Sequence, residues 1–226
     1  MAKKPRRTKK EQGSRETNWL VVGGVVILGA IALFALLYFA LREPETQTLA
    51  EYCQKADGKC IVEGDDNAPV TLIEVSDFGC VHCRAFHQTT AEIIQEQYVD
   101  QGLVKWVSVP YALSATTAPS ANAAFCANDQ GKYFKFRQAL FNMEPVEVAI
   151  TRDGFLAAGE EVGLDMDTFT QCLADGTHNN DVSTNQAAAS QAGVNSTPTF
   201  FINDQIIRGN VPLEQFQSRF DEIINS

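Results

Sequence analysis

Basic residues are scarce in this sequence once its first 18 residues are set aside. Beyond residue 18 there are 11 Lys and Arg against 26 Asp and Glu, whereas the first 18 residues hold seven Lys and Arg against two Glu. Because phosphate binding needs clustered Lys and Arg, the acidic body argues against nucleic-acid binding. The chain also has no internal repeat and no low-complexity tract. Its 226 residues, 45% hydrophobic and 20% charged, are typical of one folded domain with a substantial core.

A second pair of closely spaced metal ligands is missing as well. Cys80 and Cys83 form a C-x-x-C motif, which has the spacing of half a zinc site. The sequence has no other C-x-x-C and no His-x-x-x-His, and its histidines outside the motif are His87 and His178. We therefore predict no metal, and we interpret His87 and His178 as ordinary surface histidines.

A run of 23 residues without a charge extends from Trp19 to Leu41. At about 1.5 Å per residue, a helix of this length exceeds a hydrocarbon core of about 30 Å, so we predict a transmembrane anchor. Because Lys and Arg stay on the cytoplasmic side, residues 1–18 are predicted to form a cytoplasmic arm and residues 42–226 to be exported. The alternative is a cleaved signal peptide, whose apolar region is shorter, about 7–15 residues.

Beyond the apolar run, the chain alternates strand and helix patterns. Residues 70–75 are almost continuously apolar, as in a strand covered on both faces, and Cys80 begins a helical stretch that ends before Gly102. A strand at residues 103–109 completes a parallel strand–helix–strand unit. The later pattern predicts five helices, a hairpin and a last helix, at residues 119–128, 132–141, 151–162, 167–174, 179–192, 199–207 and 213–224. This order predicts an α/β fold with a mixed sheet, helices on both faces and a helical insertion.

Residues 42–67 are interpreted as a linker with a small structured element. Cys53 and Cys60 flank Asp57-Gly58, which is a turn signal. All six cysteines follow the apolar run and therefore lie on the side that we predict is exported. Disulfides form and persist in exported proteins, so these cysteines are free to pair.

The C-x-x-C motif lies where a buried strand gives way to a helix. A cysteine at a helix N-terminus faces unpaired N–H groups and the positive end of the helix dipole, which stabilise a thiolate. Cys80 is therefore the candidate nucleophile and Cys83, one turn further, the candidate resolving thiol. His82 adds a potential positive charge and hydrogen-bond donor. A plain structural bridge is the alternative, although a disulfide across two residues is strained. Stabilising the thiolate stabilises the reduced form and makes the disulfide a stronger oxidant.

Three stretches of the sequence resemble one known family. They are Cys80-Val81-His82-Cys83, the preceding Asp77-Phe78, and Ser196-Thr197-Pro198-Thr199-Phe200. Together they look like the DsbA-like thiol:disulfide oxidoreductases of the thioredoxin superfamily, in the membrane-anchored branch. The resemblance implies a thioredoxin-like fold over residues 68–226, with a helical insertion at about 115–178, preceded by one transmembrane helix. One departure is Val81, where the family's best-known oxidases have Pro, because the two residues between the cysteines tune the reduction potential.

The resemblance also implies roles for three residues outside the motif. Pro198 matches the family's cis-proline beside the active-site sulfurs, and Thr197 would offer backbone groups to an extended substrate. The alternative is a trans proline that opens a strand. Glu74 matches the superfamily's buried acid, whose raised pKa would let it move a proton to or from Cys83. The alternative is a Glu whose tip reaches solvent.

The four remaining cysteines are interpreted as two pairs. The resemblance implies a structural disulfide between Cys126 and Cys172, which lie on two helices of the insertion. Cys53 and Cys60 are outside the usual family pattern. For them we favour a small structural bridge over a relay pair that exchanges oxidising equivalents with Cys80.

The resemblance implies a membrane-tethered enzyme that introduces disulfides into exported bacterial proteins by dithiol–disulfide exchange at Cys80 and Cys83, without a cofactor. Because one membrane span holds no quinone-binding bundle, a separate membrane re-oxidase is implied, either DsbB-like or VKOR-like (vitamin-K-epoxide-reductase-like). The alternatives are a reductase or isomerase of the same fold, a membrane-tethered copper or zinc carrier using Cys80, Cys83 and His87, and a non-enzymatic holdase or adaptor.

Overall fold

The computed structural model describes residues 19–41, 47–56, 58–203 and 205–226. The chain divides into two compact units, Met1–Glu45 and Thr46–Ser226. In the first unit, helix α1 covers Trp19–Leu41. Within the described ranges, no helix meets the length and apolarity required of a membrane span. The transmembrane anchor therefore stays a prediction, and the predicted cytoplasmic arm lies outside the described residues.

The second unit is built on a sheet of five strands. They are β1 (Ile61–Glu63), β2 (Val70–Ser76), β3 (Val104–Pro110), β4 (Thr199–Ile202) and β5 (Gln205–Arg208). Their order across the sheet is β1-β3-β2-β4-β5. β2 and β3 run parallel with Leu72 opposite Trp106, and the other neighbours are antiparallel. The predicted mixed sheet, with its strand–helix–strand unit and its hairpin, is confirmed.

The region interpreted as a linker contributes two elements to this unit. Helix α2 (Leu49–Lys55) begins with a capping box in which Thr48 and Glu51 satisfy each other's backbone N–H groups. Strand β1 pairs with β3 at the sheet edge, with Ile61 opposite Ser108. The sequence pattern missed this strand because three residues are too few to show a strand's alternation.

Eight further α-helices lie in the described part of this unit, and those after β3 agree with the pattern read from the sequence. They are α3 (Val81–Thr89), α4 (Ala91–Ile94), α5 (Ala118–Asn128), α6 (Tyr133–Asn142), α7 (Arg152–Glu161), α8 (Met166–Asp175), α9 (Asn179–Gln191) and α10 (Leu213–Ile224). The stretch predicted as one helix from Cys80 to Gly102 is instead broken at Thr90, and a π-helical turn over Gln95–Val99 follows α4. Helices α5 to α8 form the insertion between β3 and α9.

Strand β2 is buried on both faces, as its continuous apolar sequence predicts. Val70 and Leu72 pack in one cluster of side chains with Phe86, Trp106, Phe200 of β4 and the phenylalanines of α10. Ile73 and Val75 face a second cluster with α9 and α2. Full burial of such a side chain contributes about 1.5–3 kcal/mol to the free energy of folding. The centre of the sheet is therefore a rigid base for the turn that follows β2.

Two disulfides reinforce the domain. Cys126 on α5 is bonded to Cys172 on α8, with Cα atoms 5.9 Å apart. Cys53 on α2 is bonded to Cys60, just before β1, with Cα atoms 5.3 Å apart. The structure therefore pairs these four cysteines as the sequence analysis expected.

Replacing Cys126 and Cys172 together by Ala is expected to lower the free energy of unfolding by about 4 kcal/mol in the chain-entropy model, because the bridge closes a long loop. The shorter loop between Cys53 and Cys60 gives a smaller expected loss of about 2–3 kcal/mol for the matching double replacement. Urea unfolding of the oxidised proteins measures both values. A larger loss for the Cys53 and Cys60 replacement would contradict the loop-length argument.

Candidate active site

The turn between β2 and α3 places Cys80 at the N-cap of α3. Its backbone is extended, with φ −85° and ψ 120°, and its side chain makes no capping hydrogen bond. The Cys80 sulfur lies beside the first turn of the helix, where the backbone N–H groups of Cys83 and His82 help to lower its pKa. The sequence predicted Cys80 as the first residue of the helix, and the structure places it one residue earlier, at the N-cap. The unpaired N–H groups and the helix dipole stabilise a thiolate at that position too.

Asp77 holds this turn in place. Its buried carboxylate accepts hydrogen bonds from the N–H groups of Gly79 at 2.7 Å and Leu113 at 2.6 Å, and from the Thr117 hydroxyl at 2.7 Å. At Gly79, a Cβ atom would lie 2.5 Å from the Thr117 methyl carbon, so only glycine fits there. In the sequence, Asp77 is visible only as part of the motif that resembles the family. Its sequence signal, an Asp two residues before a Gly in a turn, is that of a local side-chain cap.

The two active-site cysteines differ sharply in exposure. Both are free thiols; Cys80 is half-buried, whereas Cys83 is fully buried. Next to them, Val81 exposes 60% of its surface to solvent. A substrate sulfur can therefore approach Cys80 but not Cys83. This is the division between nucleophile and resolving thiol that the sequence predicts.

The surroundings also shift the two pKa values in opposite directions. A hydrogen bond from Cys83, together with Thr197 and the backbone N–H groups, outweighs burial and lowers the pKa of Cys80 to about 5. Burial raises the pKa of Cys83, and the neighbouring Cys80 raises it further. Cys80 is therefore the thiolate at neutral pH, with Cys83 as its proton-bearing donor.

Alkylation of the reduced protein should label Cys80 with a rate that is half-maximal at pH about 5. Cys83 should stay unlabelled while the protein is folded, because its thiol is buried and its pKa is raised. Peptide mass spectrometry after timed iodoacetamide pulses across a pH series measures both rates. Cys80 labelling with the midpoint of an ordinary cysteine, about 8.5, would contradict this assignment.

The loop before β4 lies against the Cys80 sulfur. The Cys80 thiol lies 3.3 Å from the Thr197 carbonyl oxygen, and the Thr197–Pro198 peptide bond is cis, as the resemblance implies. Both Thr197 and Pro198 precede a strand at the same end of the sheet as Cys80. The structure thus brings together two segments that are more than 110 residues apart in sequence.

Glu74 lies in a network of buried polar groups from α3, β3 and α6. Its carboxylate is 2.7 Å from His87 Nε2, accepts a hydrogen bond from Trp106 Nε1 at 3.0 Å, and lies 3.6 Å from Arg137 Nη1. Burial alone would raise its pKa, but His87 and Arg137 outweigh burial and lower the pKa to about 2. The expectation of a raised pKa is therefore wrong, because partners from α3 and α6 hold the carboxylate in its ionised form.

His87 is buried, which corrects its interpretation as a surface histidine. Burial lowers its pKa, so the neutral ring donates its Nε2 proton to Glu74. The ring also stacks on Phe141 of α6 with centroids 4.1 Å apart. Arg137 was not predicted as a partner of Glu74, since nothing in the sequence of α6 shows which of its side chains reaches the sheet.

The His82 side chain is exposed, and it is the backbone N–H group of His82 that helps to lower the pKa of Cys80. His178 is partly exposed at the surface, and its two ring nitrogens contact carboxylate oxygens of Asp129 and Asp181. Among the residues that the structure describes, the single cluster of potential metal ligands is Cys126, Cys172 and His178. The structure therefore does not bring together the metal ligands of the metal-carrier alternative, which are Cys80, Cys83 and His87.

The Cys53–Cys60 bridge packs in a different cluster of side chains from the active site. Cys60 belongs to the cluster on the sheet face of Ile73 and Val75, whereas Cys83 belongs to the cluster of the helical insertion. The structure does not bring the two pairs together, which favours the structural interpretation of Cys53 and Cys60 over the relay.

Comparisons with known proteins agree with this geometry. A family model described as thioredoxin matches residues 56–222. Disulfide bond formation protein D of Bacillus subtilis (strain 168) is 24% identical over 167 residues, which is 71% of this chain and 75% of that protein. A crystal structure of a thioredoxin-like oxidoreductase from Silicibacter pomeroyi DSS-3 has a TM-score of 0.66 at 26% identity, over 77% of this chain and 98% of that one. The crystal structure of oxidised BdbD from Bacillus subtilis has a TM-score of 0.67 at 20% identity, and the match covers 75% of this chain and 95% of that one.

The chain therefore belongs to the thioredoxin family. Within that family it is a DsbA-like thiol:disulfide oxidoreductase with a mixed α/β fold.

Proposed function

We propose that this enzyme introduces disulfide bonds into exported proteins while it is tethered to the bacterial cell membrane. The observation that carries the proposal is the contrast between a half-exposed Cys80, whose pKa is lowered to about 5, and a fully buried Cys83. A stabilised thiolate favours the reduced enzyme, so its disulfide gives up oxidising equivalents readily.

The reaction consists of two thiol–disulfide exchanges. A substrate thiolate attacks the Cys80 sulfur of the Cys80–Cys83 disulfide, and the Cys83 sulfur leaves with the bonding electrons and takes up a proton. A second substrate thiolate then attacks the substrate sulfur of the mixed disulfide and releases Cys80 as a thiolate. The substrate dithiol is oxidised by two electrons, the enzyme is reduced by two, and no bound cofactor takes part.

The cis-proline loop is the proposed substrate contact. The Thr197 carbonyl lies 3.3 Å from Cys80 Sγ, close enough to hold an extended peptide next to the reacting sulfur. Backbone groups recognise a peptide without regard to its side chains, which suits an enzyme that acts on many cysteine-containing proteins.

The reduction potential of the Cys80–Cys83 couple tests the direction of electron flow. We expect a value nearer that of DsbA, about −120 mV, than that of thioredoxin, about −270 mV. Equilibration with glutathione buffers, read out by alkylation and mass spectrometry, gives the potential. A value near thioredoxin's would instead make the chain a reductase.

Re-oxidation requires a second protein, because each cycle leaves Cys80 and Cys83 reduced. We propose a membrane re-oxidase of the DsbB-like or VKOR-like kind. A Cys80–partner mixed disulfide captured from membranes of the source cell should contain such an enzyme, and a soluble thiol oxidase in its place would contradict the proposal.

The tether is proposed from the sequence of residues 19–41 and the basic arm before them. The helical residues Trp19, Leu20 and Phe34 expose 79%, 87% and 72% of their surface, which lipid would cover. Protease added outside spheroplasts should degrade the domain from residue 47 onward. Full protection of that domain, or its release from membranes by carbonate, would contradict a tethered external enzyme.

A further inference from the structure

A second cluster of sulfur and nitrogen ligands lies in the helical insertion, apart from the active site. Cys126 on α5, Cys172 on α8 and His178 just before α9 place one ligand atom each within 4.8 Å of one another. We propose that, once the Cys126–Cys172 bridge is reduced, these three residues bind one Zn²⁺ ion. The bridge and the ion are then alternative states of the same two sulfurs.

The backbone spacing suits both states. A tetrahedral Zn²⁺ ion binds thiolates at about 2.3 Å, which places its two sulfurs about 3.8 Å apart. The Cα atoms of Cys126 and Cys172 are 5.9 Å apart, so rotation of the two side chains reaches this separation without moving the helices. Two thiolates and one imidazole form the ligand set of many zinc sites.

The surroundings of His178 are those of a metal-binding histidine. Its Nδ1 lies 2.8 Å from an Asp181 oxygen, and its Nε2 lies 2.8 Å from an Asp129 oxygen. When one ring nitrogen binds a metal, the other typically donates to a carboxylate, which orients the ring. Here a carboxylate lies at each ring nitrogen, so one of them orients the ring whichever nitrogen binds the ion.

Asn122 connects the histidine to one of the sulfurs. Its side-chain oxygen accepts a hydrogen bond from the His178 backbone N–H at 2.9 Å, and its side-chain nitrogen lies 3.9 Å from Cys126 Sγ. Donors directed at sulfur stabilise a metal-bound thiolate. The ring of Phe125 stacks on His178 with centroids 5.3 Å apart and shields that side of the cluster.

The change from the Cys126–Cys172 bridge to the zinc site balances when a phosphine is the reductant. The phosphine and water supply two electrons and two protons, which turn the bridge into two thiols and leave a phosphine oxide. Zn²⁺ then displaces one proton from each thiol as the two Zn–S bonds form. Re-oxidation first requires loss of the ion, so zinc should slow the return of the bridge.

The experiment uses the full chain with Cys80 and Cys83 replaced by Ser, so that the active-site thiols bind no metal. After reduction by a phosphine, Zn²⁺ titration should show one equivalent bound, and Co²⁺ should show thiolate charge-transfer bands. The oxidised protein should bind none. Adding Cys53→Ser and Cys60→Ser should leave binding unchanged, whereas adding Cys126→Ser and Cys172→Ser should abolish it.

Variants of the histidine and its carboxylates test the remaining ligands. His178→Ala should weaken Zn²⁺ binding by at least tenfold, while the matched His82→Ala should not change it. Asp129→Asn and Asp181→Asn, which alter exposed or partly exposed side chains, should each weaken it by about 10–100-fold. Circular dichroism checks that each reduced variant is folded. The proposal would be overturned if the reduced chain bound no zinc, or if the oxidised chain or His178→Ala bound zinc as tightly as the reduced chain. Loss of the fold on reduction with zinc present would also overturn it.

Discussion

Replacing Cys83 with Ala should convert the enzyme into a trap for its substrates. Cys80 remains half-exposed and keeps its place at the N-cap of α3, so its thiolate still attacks a disulfide of an oxidised substrate or of the re-oxidase. A mixed disulfide forms, and the other sulfur of the attacked disulfide leaves as a thiolate. Without the buried thiol, the enzyme cannot release the bound partner by closing its own disulfide. We expect covalent complexes to accumulate and catalytic oxidation to fall by at least 10³-fold, since exchange at a lone thiol has no intramolecular partner.

Cys80→Ala is the matched control, and it should trap little because Cys83 is fully buried. Non-reducing gels of cells that express each variant, followed by mass spectrometry of the complexes, measure the difference. Equal trapping by the two variants would mean that Cys83 is reachable and that the assigned roles of the two sulfurs are wrong.

Replacing Glu74 with Gln should lower the free energy of unfolding by about 3–5 kcal/mol. Arg137 is buried, with 7% of its side chain exposed, and Glu74 is the carboxylate opposite its guanidinium at 3.6 Å. Removing that charge leaves the buried Arg137 guanidinium without a carboxylate in salt-bridge contact, and Glu63 remains as its electrostatic partner. Urea unfolding at pH 7 measures the loss, and Glu92→Gln, which changes an exposed acid on α4, should cost less than about 0.5 kcal/mol.

Because of the Glu74 carboxylate, we also expect the protein to lose stability in acid. Its pKa is about 2 in the folded protein against an ordinary 4.5, so its contribution is present above pH 4.5 and is lost as the pH falls toward 2. Glu74→Gln should lack this part of the acid dependence. If the wild type and the variant lose stability in parallel between pH 4.5 and pH 2, Glu74 does not hold its charge in the folded state.

The low pKa of Glu74 also bears on proton transfer to and from Cys83. A carboxylate with a pKa of about 2 carries no proton at neutral pH and accepts one poorly. The role predicted for Glu74, moving a proton to or from Cys83, therefore lacks the expected chemistry. Slower release of Cys83 in Glu74→Gln than in the wild type, at equal stability, is the result that would restore that role.

Much of the fold was readable in the sequence because its signals are local. A continuous apolar strand, a helix that starts at Cys80 and a polar turn between two short strands each show in a few neighbouring residues. The asymmetry of Cys80 and Cys83 follows from helix geometry alone, since one faces the helix end and the other lies a turn inside it.

Other features were decided only by the tertiary structure. Strand β1 is defined by its pairing with β3, because three residues carry no pattern of their own. The ionised state of Glu74 depends on His87 from α3 and on Arg137 from α6, and no local rule shows which insertion helix covers the sheet. The sequence by itself determined the reactive motif and the order of elements, whereas the charge of the buried acid was decided by long-range packing, because a pKa depends on which groups the fold places within a few ångströms.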